Sequence, residues 1–103
     1  MCGIYALLYH ETPDELLLEK IQSAFMCGKK RGPESSVFLN HASSSLILGF
    51  HRLAINGLNN ESDQPITHQK NHIICNGEIY NYKELFKQQK IKANTDSDCE
   101  FIL

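Results

Sequence analysis

The sequence has no surplus of either charge: ten basic and twelve acidic residues are spread along it and leave a net charge of −2. That balance gives no electrostatic footprint for nucleic acid or for a membrane surface. The one basic cluster, Lys29-Lys30-Arg31, reads as a solvated helix end. No apolar run approaches the ~20 residues of a membrane span. Ile4 to Tyr9 is six residues long, nothing basic precedes it, and Glu11, Asp14 and Glu15 follow at once, which is not the shape of a secretory signal. With glycine at position 3 rather than 2, a myristoylation signal is missing too. The four cysteines (Cys2, Cys27, Cys75, Cys99) show no CxxC spacing, so neither a zinc site nor a disulfide framework is expected. Cys27, Cys75 and Cys99 read as small buried hydrophobes, and this usage fits a reducing, cytoplasmic setting. Internal repeats and low-complexity linkers are also absent, and 103 residues bound the chain to one domain at most.

What is present begins at the start. Met1-Cys2-Gly3 puts a nucleophile one residue from the terminus with a flexible residue behind it. Cys2 is small enough for the initiator methionine to be removed, which leaves a thiol and a free α-amine on one residue. In general such an amine titrates at about 7.7–8.0 and a thiol at about 8.5. Near neutral pH the amine can therefore take the thiol proton and later hand it to a leaving group, the logic of an N-terminal nucleophile.

The rest of the chain alternates strand-like and helix-like segments. Cys2 to Tyr9 is short and apolar and predicts a buried strand. Thr12-Pro13-Asp14-Glu15 predicts a helix start, with Thr12 as cap, Pro13 at the first helical position and Glu15 closing a capping box. Leu17, Ile21, Ala24 and Phe25 recur on one face, and the helix should stop before Gly32-Pro33. Ser36 to Asn40 and Ser45 to Leu53 predict strands around a polar turn at positions 41–44, the second apolar enough to be covered on both sides. A polar loop follows from Asn56 to Pro65, then a short strand from His72 to Cys75. Asn81-Tyr82-Lys83-Glu84 matches a second capping box opening a helix, and Ser97-Asp98-Cys99-Glu100 a third. Phe101-Ile102-Leu103 begins an apolar helical face and the sequence stops, which predicts a truncated unit. The order of elements suggests layered α+β packing.

Polar groups recur directly after apolar strands. Arg52, near the end of a strand, suits a bidentate grip on a carboxylate, and equally an ion pair on the surface or between strands. The Asn76 amide and the Gly77 backbone N–H can present two donors to a developing oxyanion, though Asn-Gly is also a common hairpin turn. Asp98 at a helix start can meet an ammonium, or be only the second residue of a capped helix. Together these residues make a plausible site for a substrate with a carboxylate, an ammonium and an acyl-type carbon; they do not choose the substrate.

Met1-Cys2-Gly3-Ile4, Arg31-Gly32-Pro33, Gly49-Phe50-His51-Arg52-Leu53-Ala54-Ile55, Gln64-Pro65-Ile66, Asn76-Gly77-Glu78-Ile79-Tyr80-Asn81 and Ser97-Asp98-Cys99-Glu100 occur in this order. As a set they resemble the N-terminal glutaminase domain of glutamine-hydrolysing asparagine synthetases, a class-II glutamine amidotransferase of the Ntn-hydrolase fold. The resemblance runs the length of the chain. Sister families that act on phosphoribosyl pyrophosphate and fructose 6-phosphate also begin Cys-Gly, but the Gln64-Pro65 loop and the segment 76–81 resemble the asparagine synthetase branch more closely.

The resemblance implies a fold, a reaction and residue roles. Positions 1–103 would form a partial type-2 amidotransferase domain, the N-terminal portion of an αββα sandwich with mostly antiparallel strands and flanking helices. Cys2 would attack the glutamine side-chain amide while its α-amine shuttles protons. Asn76 and the Gly77 N–H would form the oxyanion hole. Arg52 would bind the substrate α-carboxylate, Glu78 and Asp98 the α-ammonium, and main-chain groups near Leu53 would orient the amide. A glutamyl thioester would form, releasing ammonia and then glutamate, with no metal or cofactor.

ATP and magnesium would belong to a synthetase domain, absent here because no Ser-Gly-Gly-type pyrophosphate loop occurs; that domain, or a separate subunit, would accept the ammonia for asparagine biosynthesis. Two positions depart from the family pattern: Lys30 stands where His is usual and Glu34 where Asp is usual. Two other readings stay open. One is a truncated, catalytically incompetent chain that acts through a partner subunit, and the other a non-catalytic α+β binding module in which Met1-Cys2-Gly3 is accidental.

Overall fold

A computed structural model describes residues 1–55 and 59–103. Its centre is an antiparallel sheet of three strands, β1 (Gly3–Leu8), β2 (Ser35–His41) and β3 (Leu46–Arg52), in the order β1-β3-β2. Helix α1 (Glu15–Met26) connects β1 to the rest. A separate hairpin of β4 (Ile66–His68) and β5 (Asn71–Ile73) follows, then α2 (Tyr82–Gln89) and a 3-10 turn at Asp98–Ile102. The architecture is α+β with antiparallel strands, as the element order predicts.

β3 is buried from Ile47 to Arg52, both faces included. Its register explains how α1 docks. Gly49 lies opposite Tyr5 on one side and Phe38 on the other. Phe25 of α1 fills the dimple this creates, 5.9 Å from the Tyr5 ring and 5.4 Å from Phe38. A methyl group at Gly49 would stand 2.5 Å from the Phe25 ring, so only glycine admits the helix this closely. Phe25 also stacks on His51 at 4.0 Å, and the His51 Nε2–H donates to the Phe25 carbonyl at 2.8 Å. The other ring nitrogen of His51 then accepts from the Ser36 hydroxyl at 2.8 Å, which satisfies a side chain only 1% exposed.

Several local expectations are corrected. The cap of α1 is Asp14, not Thr12: an Asp14 carboxylate oxygen accepts the Leu17 N–H at 2.8 Å. Pro13 is buried and lies outside the helix. Of the predicted apolar stripe only Ile21 and Phe25 are buried, while Leu17 is 47% exposed. Asn81 makes no side-chain cap; its carbonyl takes the Glu84 and Leu85 N–H groups instead. Ser97 likewise caps nothing, and the segment after it winds as a 3-10 turn rather than an α-helix. Glu100 does not reach back to Ser97, because Asn94 and Thr95 occupy its carboxylate.

β4 was hidden in the sequence, since Ile66–His68 is too short to show a period. Its partner β5 spans Asn71–Ile73, shifted from the predicted His72–Cys75. Of the loop expected from Asn56 to Pro65, residues 56–58 lie outside the described residues. Cys99 is buried and Cys75 half-buried, but Cys27 is exposed, its thiol donating to the Ser23 carbonyl at 3.4 Å. No helix among the described residues is long and apolar enough to cross a membrane.

Candidate active site

The end of β3 gathers the site. Gly3 pairs with His51, so Cys2 arrives beside Arg52 and Leu53. The Leu53 N–H donates to the Cys2 sulfur at 3.4 Å, and the thiol donates to the Leu53 carbonyl at 3.5 Å. A further bond fixes the Cys2 backbone, whose carbonyl accepts from Arg31 Nε at 3.2 Å. Arg31 reaches that far because Gly32 lies flat against the end of β3; a methyl group there would sit 2.2 Å from the His51 carbonyl oxygen. Lys29, Lys30 and Arg31 are exposed, and Arg31-Gly32-Pro33 in addition forms a buttress for the start of β1. Glu34 completes it by accepting the Ala54 N–H at 2.8 Å, so the longer carboxylate at this position is engaged with the backbone.

Arg52 is 7% exposed. Its Nη1 donates to the Asn59 carbonyl at 3.0 Å and forms an ion pair with Asp63. Asp63 is the nearest anion supplied by the loop before Pro65, and the guanidinium is held between that loop and β3. A fork anchored on one side in this way keeps its plane fixed.

Across a cavity of about 360 Å³ lie Asn76, Gly77, Glu78 and Asp98, and Cys2, Arg52 and Leu53 line it too. All seven residues singled out in the sequence therefore share one concave surface, of a size usual for small-molecule sites. Asn76-Gly77 is not a hairpin turn, since it joins β5 to α2, and the β4–β5 turn is at 69–70. Asp98, 5% exposed, accepts the Ile79 N–H at 2.6 Å and so ties the turn after Gly77 to the 3-10 turn. Asn76, Gly77 and Glu78 are exposed at the cavity mouth.

Gln64 and Cys99, which line the cavity, and Glu100, next to Cys99 in the 3-10 turn, had no assigned chemical role in the sequence. Gln64, 7% exposed, accepts the Cys75 N–H and so pins the residue before Asn76. It belongs to Gln64-Pro65, and that motif is the signal that marks it. Glu100 is buried and accepts from the backbone and side chains of both Asn94 and Thr95. Burial raises its carboxyl, but the Asn94 and Thr95 donors outweigh that and hold it below the ordinary glutamate value. Cys99 is the third: burial first, then a side-chain hydrogen bond with Cys75 and the charge of Asp98, push its thiol up to about 12. Met1 stands at the rim of the cavity, 73% exposed. Among the described residues no group of His, Cys, Asp or Glu is arranged to hold a metal ion.

The chain belongs to the family described as the glutamine amidotransferase domain, whose profile matches residues 1–103. The proteins it is similar to include asparagine synthetases. It is 40% identical over its whole length to "Asparagine synthetase [glutamine-hydrolyzing] 1" of Bacillus subtilis, covering 17% of that protein. It is 38% identical to the "Probable asparagine synthetase [glutamine-hydrolyzing]" of Acanthamoeba polyphaga mimivirus and covers 19% of it. The Gallus gallus "Asparagine synthetase [glutamine-hydrolyzing]" is also 38% identical, with 18% covered. The chain thus spans about a fifth of the length of the curated relatives it matches. No solved structure matches it significantly.

Proposed function

We propose that this chain carries the glutaminase half-reaction of an asparagine synthetase-like protein, releasing ammonia from the side-chain amide of L-glutamine. The observation that carries this reading is the shared cavity, where the Cys2 thiol, braced on the Leu53 peptide, lies with Arg52, Asp98 and the Asn76-Gly77 turn. Removal of Met1 bares the Cys2 α-amine. The sulfur, its proton given to that amine, attacks the amide carbon; the carbonyl electrons collect on oxygen between the Asn76 side chain and the Gly77 N–H. The amine returns the proton to nitrogen, ammonia departs, and a glutamyl thioester remains. Water, deprotonated by the same amine, then attacks the thioester carbon, and glutamate leaves as the thiol is restored.

Recognition follows from charge. The substrate α-carboxylate joins Arg52 alongside Asp63, while Glu78 and Asp98 hold the α-ammonium. Asp98 has one oxygen committed to Ile79, which orients the other. Main-chain groups at Leu53 steer the amide. These steps call for no metal or cofactor; ATP and magnesium serve a synthetase domain or subunit that takes up the ammonia. In this reading residues 1–103 are a partial type-2 amidotransferase domain, the N-terminal part of an Ntn-hydrolase αββα sandwich, working in the cytoplasm.

A second reading, that the chain acts only with a further domain or subunit, is favoured by its bare apolar side chains. Ile4 (54%), Leu8 (78%) and Leu16 (61%) all face solvent. One experiment addresses both. The Met1-free chain is treated with 6-diazo-5-oxo-norleucine and mapped by mass spectrometry. Modification confined to Cys2 and lost in Arg52→Ala is the expected result. Equal labelling of all the cysteines would sink the glutaminase reading, and labelling of Cys2 only when a synthetase partner is added would favour the second.

A further inference from the structure

Three of the four cysteines meet at the cavity: Cys2, Cys75 and Cys99 all line it as free thiols. The proposed reaction uses Cys2 and leaves the other two without a task. They come from different parts of the fold. Cys75 follows β5, Cys99 lies in the turn Asp98–Ile102, and these two elements pack against each other. The Cys99 thiol donates to the Gly77 carbonyl at 3.9 Å and is near enough to the Cys75 thiol for the two to perturb each other. Each cysteine adjoins a group of the proposed site, Cys75 just before Asn76 and Cys99 just after Asp98.

We propose that Cys75 and Cys99 are a modification site, a dithiol that takes a peroxide and closes to a disulfide in the wall of the cavity. The Cys75 sulfur attacks a peroxide oxygen, the O–O bond breaks, and a sulfenic acid forms as the first water leaves. The Cys99 sulfur then displaces hydroxide from the sulfenic sulfur. Its own proton leaves with that hydroxide as the second water. The two sulfurs lose two electrons, and one hydrogen peroxide becomes two waters.

The order of events follows from burial. Cys99 is 2% exposed and its thiol is pushed up to about 12, so it stays protonated and Cys75, half-buried, meets the oxidant first. Closing the bond brings the sulfurs to about 2.05 Å and draws Cys99 away from the Gly77 carbonyl. The turn that carries Asp98 is then tethered to the residue before Asn76. Oxidation therefore moves the ammonium-binding carboxylate and the oxyanion donors relative to Cys2. That consequence rests on the proposed glutaminase chemistry; the disulfide itself does not.

The test uses the full chain with Met1 removed, exposed to hydrogen peroxide and mapped without reduction. The expected product is lighter by two hydrogens, contains a Cys75–Cys99 cross-linked peptide, and reverts with dithiothreitol. Ammonia release should fall ~100-fold, as for a site displaced by about 1 Å, and return on reduction. Cys75→Ser should lose both the cross-link and the reversible part of the inhibition. Oxygen added at Cys2 or Cys27 with no Cys75–Cys99 peptide in the wild-type chain would overturn the proposal. Because the cross-link is read by mass, it is decided even in a chain that releases no ammonia.

Discussion

The Cys2 sulfur and the Leu53 main chain exchange hydrogen bonds in both directions, Leu53 N–H to sulfur at 3.4 Å and thiol to Leu53 carbonyl at 3.5 Å. The amide proton suits a thiolate and the carbonyl suits a thiol, so the two peptides that flank the Leu53 α-carbon engage the sulfur in either state. They also fix where the sulfur sits before any substrate arrives, which in the proposed mechanism is the positional part of catalysis.

Cys2→Ala should therefore abolish ammonia release from glutamine while changing stability by no more than about 1 kcal/mol, because the residue is only half-buried. A coupled glutamate assay and a thermal melt on the same preparation check both halves. Wild-type turnover in this variant would remove the thiol from the mechanism.

Asn76→Ala should lower kcat by ~10²–10³ with little change in KM, the usual loss for one oxyanion donor. Asn76 is exposed, so the melting temperature should stay put. A rise in KM at constant kcat would instead make Asn76 a ground-state contact.

Arg52→Lys keeps the charge and removes the fork. It should raise KM for glutamine about 10-fold, the equivalent of one charge-assisted hydrogen bond. Asp63→Asn should act in the same direction but less, since Asp63 holds Arg52 without touching substrate. Steady-state kinetics that find kcat reduced with KM unmoved would contradict the assignment of Arg52 to the carboxylate.

Glu100 gives the chain a pH signature. Its carboxyl is held below its ordinary value, so the folded state binds its proton less readily than the unfolded chain. The stability this contributes is fully present above the unfolded pKa, about 4.3, and is lost as pH falls through the lower folded value. Glu100→Gln should cost about 1–3 kcal/mol near neutral pH, because its amide NH₂ faces the donors of Asn94 and Thr95. The gap between variant and wild type should shrink on acidification below pH 4.3. Melts between neutral pH and pH 3 would show this, and a constant gap would exclude it.

Much of the fold was legible because it is written locally. The run from Gly3 to Leu8, the long apolar β3 and the Asp14-to-Met26 helix each announce themselves by pattern. The seven residues that share the cavity stood out because they sit at strand ends and in turns: Cys2 precedes β1, Arg52 ends β3, and Asp98 opens the 3-10 turn. What stayed hidden depends on contacts distant in sequence. Nothing near Glu100 says that Asn94 and Thr95 will fold onto it rather than leave it for a capping box. Nothing near Gln64 reveals that its amide will hold Cys75. Thr12 and Asp14 are both sound caps by composition, and the burial of Pro13 chooses between them.

Met1 projects into solvent at the mouth of the cavity while the strand behind it is already paired. An aminopeptidase can therefore reach it in the finished fold, so its removal need not precede folding. On the proposed mechanism, a purification tag fused ahead of Cys2 would yield a well-formed but silent protein, and handles belong at the other terminus.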